Sequence, residues 1–152
     1  MQLNYQLQRI RSTVLTPDDI SCVTTSEKLD ATVIELTNKC VSALKQKEAQ
    51  FLKITSAQHN NQVAMVHCPN GEFSFDKGNI HDIKGKSLHC YITGYFYSRG
   101  SPILLWDLHA IGLHRGRDPE NLGVIQIATH LTYVVIFHLV SRNSAIMYIL
   151  IL

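Results

Sequence analysis

The C-terminal end of the chain is almost free of charge, and this feature most constrains the fold. Between residues 121 and 152 the only formally charged side chain is Arg142. Two apolar runs, residues 131–140 and 145–152, flank the polar stretch 141–144. Each run is about half the roughly 20 apolar residues that a membrane-spanning helix needs. We therefore expect the two runs to form a buried hairpin that turns at residues 141–144, with a weak tail anchor as the alternative.

The first 50 residues predict a helical region. Thr24 and Glu27 have the spacing of a capping box, in which each side chain bonds the backbone of the other residue. Apolar residues then recur every three or four positions, which predicts one buried face of a helix of roughly 20 residues. These apolar residues are Leu29, Val33, Leu36, Cys40 and Leu44.

The following part of the chain predicts strands and turns. Short segments rich in β-branched and aromatic residues predict strands at residues 51–55, 62–67, 72–75, 88–97 and 103–111. The polar, glycine-containing residues 77–86 predict a loop. A helix that precedes antiparallel strands indicates an α+β fold. The expected organisation is an N-terminal helical region at residues 1–50 and an α+β region at residues 51–152.

Composition excludes several classes of protein. A chain of 152 residues is long enough to bury one hydrophobic core. The formal net charge of +2 excludes a strongly basic nucleic-acid coat, although a local basic patch remains compatible with it. The four cysteines include no CxxC pair, which excludes a cysteine-only zinc ribbon, and their low density does not favour a disulfide scaffold. The N-terminus lacks the apolar core of a secretory signal, so we expect a cytoplasmic protein that does not span a membrane.

One segment carries residues suited to chemistry. It runs from Trp106 to His130 and reads WDLHAIGLHRGRDPENLGVIQIATH. His109 ends an apolar strand, a loop rich in glycine and arginine follows, and Asn121 lies in a Pro-Glu-Asn-Leu sequence before His130. The segment resembles the HNH (His-Asn-His) endonuclease family, in its phage and homing types, at His109, Gly112, residues 119–122 and His130.

This resemblance implies an HNH-like ββα-metal segment at about residues 103–140 and metal-dependent hydrolysis of DNA phosphodiester bonds. A neutral imidazole suits a general base near pH 7, so His109 is the candidate base and Asn121 the residue that orients it. A divalent ion such as Mg²⁺, Mn²⁺, Ni²⁺ or Zn²⁺ would stabilise charge on the phosphate, with His130 and Asp107 as ligands. The candidate DNA contacts are Arg115, Arg117, Lys84 and Lys86. Leu108 and Val134 occupy positions that often hold ligands in the family, so the resemblance also covers a degenerate nuclease.

Two other functions fit the sequence. The strand that begins at His109 also resembles the histidine strand of papain-like bacterial effector cysteine proteases. That resemblance implies Cys22 as the nucleophile, His109 as its base and Asp118 as the acidic partner. The second alternative is a non-catalytic binding or interaction module. Its basic and aromatic surface would comprise Lys77, Lys84, Lys86, Arg99, Tyr91, Tyr95 and Tyr97.

Overall fold

The computed structural model describes residues 14–47, 52–67, 74–92, 99–120, 125–142 and 149–151. The strands are β1 (Ile20–Ser26), β2 (Ala31–Leu36), β3 (Gln62–His67), β4 (Ser74–Lys84), β5 (Ser87–Ile92), β6 (Pro102–Leu105), β7 (Ala110–Arg117), β8 (Ile125–His130) and β9 (Ile149–Ile151). The helices are α1 (Asn38–Gln46) and α2 (Leu131–Arg142), and a short 3-10 helix precedes β1 at Pro17–Asp19.

Six antiparallel strands form a closed barrel in the order β3-β4-β5-β8-β7-β6. Strand β6 pairs with both β3 and β7, which closes the barrel and leaves none of its strands with a free edge. Large apolar side chains fill the interior and are wholly inaccessible to solvent. Among them are Met65, Ile80, Leu88, Ile103 and Ile111. Burying side chains of this size stabilises a fold by roughly 1.5–3 kcal/mol each, so this layer fixes the barrel.

The remaining strands form a second, three-stranded sheet in the order β1-β2-β9. Strands β1 and β2 are joined by a tight turn, and Ser26 pairs with Ala31 next to it. The side chains of β1 alternate between half-buried and exposed, which is the periodicity of a strand with one covered face. This sheet packs beside the barrel, where Val33 shares a buried cluster with Leu113 of β7.

The long N-terminal helix predicted from residues 24–44 is wrong. β-branched side chains occupy four of the seven positions of β1 and three of the six positions of β2, and their strand propensity overrides the three-to-four-residue apolar stripe. Only the last part of the stripe is helical, in α1. Thr37 caps this helix by accepting a hydrogen bond from the Cys40 N–H at 3.2 Å.

The C-terminal hairpin prediction is also wrong in its first half. Residues 131–142 form α2, although β-branched residues are poor helix formers. The helix buries Leu131, Val134 and His138, which recur at the spacing of one helical face, and this tertiary packing outweighs the intrinsic propensity. Within the described part of the chain, neither helix has the length and hydropathy that crossing a membrane requires.

The α+β class with a separate ββα-metal segment is therefore corrected to a largely β fold. Residues 77–86, expected to be a loop, mostly belong to β4, the longest barrel strand. The single strand expected at residues 103–111 is divided into β6 and β7 by a turn. Strands β7 and β8 followed by α2 do have the chain order of a ββα unit, but both strands are built into the closed barrel.

Candidate functional site

A cleft lies between the three-stranded sheet and the barrel. It is lined by Asp30, Arg99, Gly100, Leu113 and His114. Asp30 belongs to the turn between β1 and β2, Arg99 and Gly100 precede β6, and the other two residues belong to β7. Its volume of about 270 Å³ is just below the roughly 300–1,000 Å³ of small-molecule pockets, so it suits about one large side chain.

Two arginines hold the carboxylate of Asp30 in this cleft. Arg99 donates a hydrogen bond from Nη2 to Asp30 Oδ2 at 2.5 Å, and Arg115 Nε lies 3.5 Å from the same oxygen. The bond from the Arg99 guanidinium lowers the pKa of Asp30 below its ordinary value, and the charges of both arginines act in the same direction. Asp30 is therefore ionised at neutral pH, and these three side chains together carry one net positive charge.

Backbone contacts place Asp30 at the cleft. The Asp30 N–H donates to the carbonyl of Glu27 at 3.1 Å, and Asp30 itself has φ of 50°, in the left-handed region that aspartate tolerates better than most residues. The preceding residue, Leu29, is buried, and its carbonyl accepts a hydrogen bond from Thr129 Oγ1 of β8 at 2.7 Å. The turn is thus tied to the barrel one residue before Asp30.

The opposite wall of the cleft is held by pairing between residues 99–101 and β7. Gly100 donates its N–H to the His114 carbonyl at 2.8 Å, and His114 donates its N–H to the Ser101 carbonyl at 2.9 Å. Gly100 has φ of 84°, which a glycine adopts without steric cost. The buried His114 ring is held through Nε2, 2.9 Å from Oε1 of Gln126. These contacts give a fixed wall from which Arg99 extends into solvent.

The chemistry available in the cleft is recognition of charge. None of the five lining residues carries a hydroxyl or a thiol, so they supply no nucleophile of the serine, threonine or cysteine type. The guanidinium groups of Arg99, which lines the cleft, and of the neighbouring Arg115 both approach Oδ2 of Asp30, and guanidinium groups are well suited to bind planar anions.

The predicted base, His109, and the predicted ligand, Asp107, lie at a different place. Both belong to the turn between β6 and β7, where His109 Nδ1 is 2.8 Å from Asp107 Oδ1. Asp107 Oδ1 also accepts the His109 N–H at 3.2 Å, and this pairing with His109 lowers the pKa of Asp107. The pair therefore stabilises a turn in which Leu108 has φ of 66°, with the Asp107 side chain exposed and that of His109 about two-thirds buried.

The second predicted ligand, His130, is buried at the end of β8. Backbone N–H groups of Ala57 and Thr132 lie 3.3 Å from its Nε2 and Nδ1 respectively. Burial lowers the pKa of His130, so the ring is neutral at pH 7. Within the described ranges, no three His, Cys, Asp or Glu side chains lie close enough to hold a metal ion. Asn121, the predicted orienting residue, lies outside the described residues.

The predicted DNA contacts are distributed over separate elements. Arg115 lies beside Asp30, and Arg117 ends β7. Lys84 ends β4, and Lys86 follows in the next turn with its ammonium 5.9 Å from the centre of the Tyr133 ring. Strands β5 and β8 lie between β4 and β7 in the barrel. DNA as a partner and a divalent metal as a cofactor remain predictions from sequence.

The three residues of the cysteine protease alternative are not brought together. Cys22 lies on β1, with Sγ 3.8 Å from Thr24 Oγ1. His109 and Asp118 flank the eight residues of β7, which separates them by roughly 30 Å along an extended strand. Asp118 is buried against His89 instead, at 3.4 Å from its Nδ1.

A hydroxyl, an imidazole and a carboxylate do line up beneath α2. His138 Nδ1 is 3.1 Å from Thr24 Oγ1, and His138 Nε2 is 3.5 Å from Glu35 Oε2. His138 is wholly buried, whereas Thr24 and Glu35 are partly accessible. Sequence reasoning missed this group because it assigned all three residues to the wrong elements.

Comparisons with known proteins identify solved structures with a similar fold. No family model and no curated protein matches the chain. Among solved structures, the active form of the Rv3671c protease from M. tuberculosis matches with a TM-score of 0.61 and 10% identity, over 88% of this chain and 62% of that one. The inactive form of Rv3671c has a TM-score of 0.49, with 13% identity over 62% of this chain and 55% of that one. Tobacco etch virus protease with its product has a TM-score of 0.47, with 17% identity over 66% of this chain and 45% of its own.

These findings overturn the nuclease prediction. The chain spans less than two thirds of each of these proteases, and it shares with Rv3671c protease a fold built on an antiparallel β-barrel. That fold is different from the ββα-metal fold that the HNH resemblance implied. Metal-dependent endonuclease activity is therefore not supported, and no matching family model supports membership of the HNH family.

Proposed function

We propose that this chain is a protease-like domain that binds polypeptides in the cleft between its three-stranded sheet and its barrel. The observation that carries the proposal is the contact across this cleft, in which Asp30 from one sheet meets Arg99 and Arg115 of the other layer. A charged cleft that accommodates about one side chain suits a peptide better than a large cofactor. The fold shared with Rv3671c protease supports polypeptide as the class of ligand.

Binding is proposed ahead of hydrolysis because of the chemistry of the lining residues. Attack on a peptide bond by a side chain needs a nucleophile within hydrogen-bond reach of a base. The five lining residues include one imidazole, that of His114, and its Nε2 is held by Gln126. The cleft thus combines charged groups with the buried apolar side chain of Leu113, which equips it to hold a charged group.

The test is a binding assay with unfolded polypeptide. Full-length protein is titrated into fluorescein-labelled casein and, separately, into labelled duplex DNA at the same salt concentration, and anisotropy is recorded. We expect saturable binding of casein. Arg99→Gln should weaken it by about three- to tenfold, because a charge-assisted contact is lost. Lys84→Gln, which removes the same charge outside the cleft, should leave the affinity unchanged. Failure of folded wild-type protein to bind casein would overturn the proposal.

Peptide-bond hydrolysis is the second candidate function, and the line of Thr24, His138 and Glu35 favours it. Their order is that of a nucleophile, a base and the acid that orients the base. The complete burial of His138 makes this candidate the weaker one, since a substrate would reach only the threonine hydroxyl. An internally quenched peptide library tests it. Cleavage that Thr24→Val abolishes and the neighbouring Thr25→Val retains would support hydrolysis at this site. If no peptide is cleaved, hydrolysis is overturned and polypeptide binding is the one proposed function that stands.

A further inference from the structure

We infer that the cleft recognises a carboxylate of the bound polypeptide through Arg99 and Arg115, and that Asp30 occupies the same place as a competitor from within the chain. The inference rests on the proposed function, because it names the class of group that the polypeptide would present. It is argued from the charge, the geometry and the exposure of these three side chains.

The charge of the cleft favours an anion. Two guanidinium groups face one carboxylate, so a positive charge remains when Asp30 is in place. A guanidinium carries five N–H donors in a planar fork. Among the described residues, the contacts to Asp30 use Nη2 of Arg99 and Nε of Arg115. Donors on both arginines are therefore available to a second carboxylate or to one that replaces Asp30.

The geometry identifies Asp30 as an internal ligand. Asp30 lies in the turn between β1 and β2 of the three-stranded sheet, whereas Arg115 belongs to the barrel. Its carboxylate therefore reaches the arginines from a separate part of the fold, as the carboxylate of a bound peptide would. Both arginines approach the same oxygen, Oδ2. An anion that enters from solvent would meet the same guanidinium edges.

The exposure of the pair allows this exchange. The Arg99 side chain is 70% exposed and that of Asp30 is 35% exposed. Ion pairs in such positions contribute little net stability, because water and salt screen them. Displacement of Asp30 therefore costs little. A peptide carboxylate that replaces Asp30 regains the guanidinium contacts that Asp30 gives up.

Two sources of carboxylate are distinguished by three labelled peptides of otherwise identical sequence. The first contains an internal Glu and ends in an amide, the second replaces this Glu by Gln and ends in a free carboxylate, and the third has Gln and an amide end. Full-length protein is titrated into each peptide at low and at high salt. We expect one of the first two peptides to bind about tenfold more tightly than the third, and the preference to shrink at high salt.

Variants connect the preference to the cleft. Arg99→Gln combined with Arg115→Gln should lower the affinity for the preferred peptide to that for the neutral peptide. Lys84→Gln, which removes one positive charge outside the cleft, should leave the affinity for the preferred peptide unchanged. Asp30→Asn should raise the affinity for the preferred peptide by about three- to tenfold, because the internal competitor loses its charge. It should leave the neutral peptide unchanged.

The outcomes separate the inference from the function on which it rests. Equal binding of all three peptides would overturn carboxylate recognition and leave polypeptide binding in place. Absence of binding to any peptide and to casein would overturn both. An Asp30→Asn protein with wild-type affinity for the preferred peptide would overturn the competitor role alone. Circular dichroism of every variant verifies that the comparison is made between folded proteins.

Discussion

Thr129 of the barrel donates a hydrogen bond from Oγ1 to the backbone carbonyl of Leu29 at 2.7 Å, and both residues are almost wholly buried. This bond joins the barrel to the turn between β1 and β2. Asp30 follows Leu29 directly, so the same contact fixes the carboxylate opposite Arg99. The position of one cleft wall thus depends on a hydrogen bond outside the cleft.

Thr129→Val is expected to destabilise the fold and weaken polypeptide binding together. The valine preserves the shape of the threonine but leaves the buried Leu29 carbonyl without this donor, at a cost of about 1–3 kcal/mol. Urea unfolding measures the loss of stability, and anisotropy measures the loss of affinity. Thr25→Val is the control, since Thr25 bonds Thr32 on the exposed face of the sheet. Equal urea midpoints for the two variants would contradict the structural role of the Leu29 contact.

Gly78→Ala is expected to disrupt the barrel. A Cβ atom at this position would lie 2.0 Å from the Tyr91 carbonyl oxygen and 2.6 Å from the Ile92 side chain, so β4 and β5 would have to separate. Overpacking of this kind costs about 1–3 kcal/mol or more. Gly85→Ala meets no atom within 4 Å and carries only the strain of its φ of 58°, about 1–2 kcal/mol. Thermal unfolding of both variants measures the difference, and a Gly85 variant less stable than the Gly78 variant would be inconsistent with the strand pairing.

Stability should fall on mild acidification because of His130. Burial lowers the pKa of this histidine in the folded protein below its ordinary value of 6.5. The unfolded chain therefore binds a proton at a pH where the folded chain does not, and folding loses stability as the pH falls from about 6.5 toward the lowered pKa. Urea titrations at several pH values should show this slope, and His130→Gln should reduce it. An unchanged slope in the variant would assign the effect to other groups.

Thiol reactivity should follow burial. Cys90 is wholly buried, which raises the pKa of its thiol to about 12, and burial also raises the pKa of the Cys40 thiol. Cys22 is partly exposed on β1. Since the thiolate is the reactive form, iodoacetamide at about pH 8 should modify Cys22 well before Cys40 and Cys90 in the native protein. Mass-spectrometric peptide mapping over time checks this order, and rapid labelling of Cys90 would contradict its place in the barrel.

Local sequence patterns predicted the elements whose periodicity agrees with their tertiary surroundings. The strand expected at residues 62–67 has the bounds of β3, because its β-branched residues face a barrel interior on one side and a neighbouring layer on the other. At residues 20–36 the same sequence satisfied both a helical stripe and a strand alternation. Pairing with a partner strand decided between them, and a single stretch of sequence does not contain that information.

The candidate cleft could not be predicted because its parts are remote in the chain. Asp30 and Arg99 are separated by 69 positions, and the apolar stripe predicts a helix around Asp30 where the structure has the turn between β1 and β2. The HNH resemblance of residues 109–130 rests on residue spacing, and β7, β8 and α2 do follow one another in the order of a ββα unit. The barrel also contains β3 and β6, which lie outside that segment, so β7 and β8 are strands of a closed barrel and do not form a separate ββα-metal unit.

The most direct test of polypeptide binding is a competition measurement with the full chain. Protein bound to fluorescein-labelled casein is titrated with unlabelled casein and, in parallel, with duplex DNA of equal mass concentration at the same salt. Polypeptide binding in the cleft predicts that unlabelled casein returns the anisotropy to that of the free probe, that DNA does not, and that Arg99→Gln weakens the complex while Lys84→Gln leaves it intact. Displacement by DNA, or an equal loss in both variants, would contradict a polypeptide-binding cleft at Asp30 and Arg99.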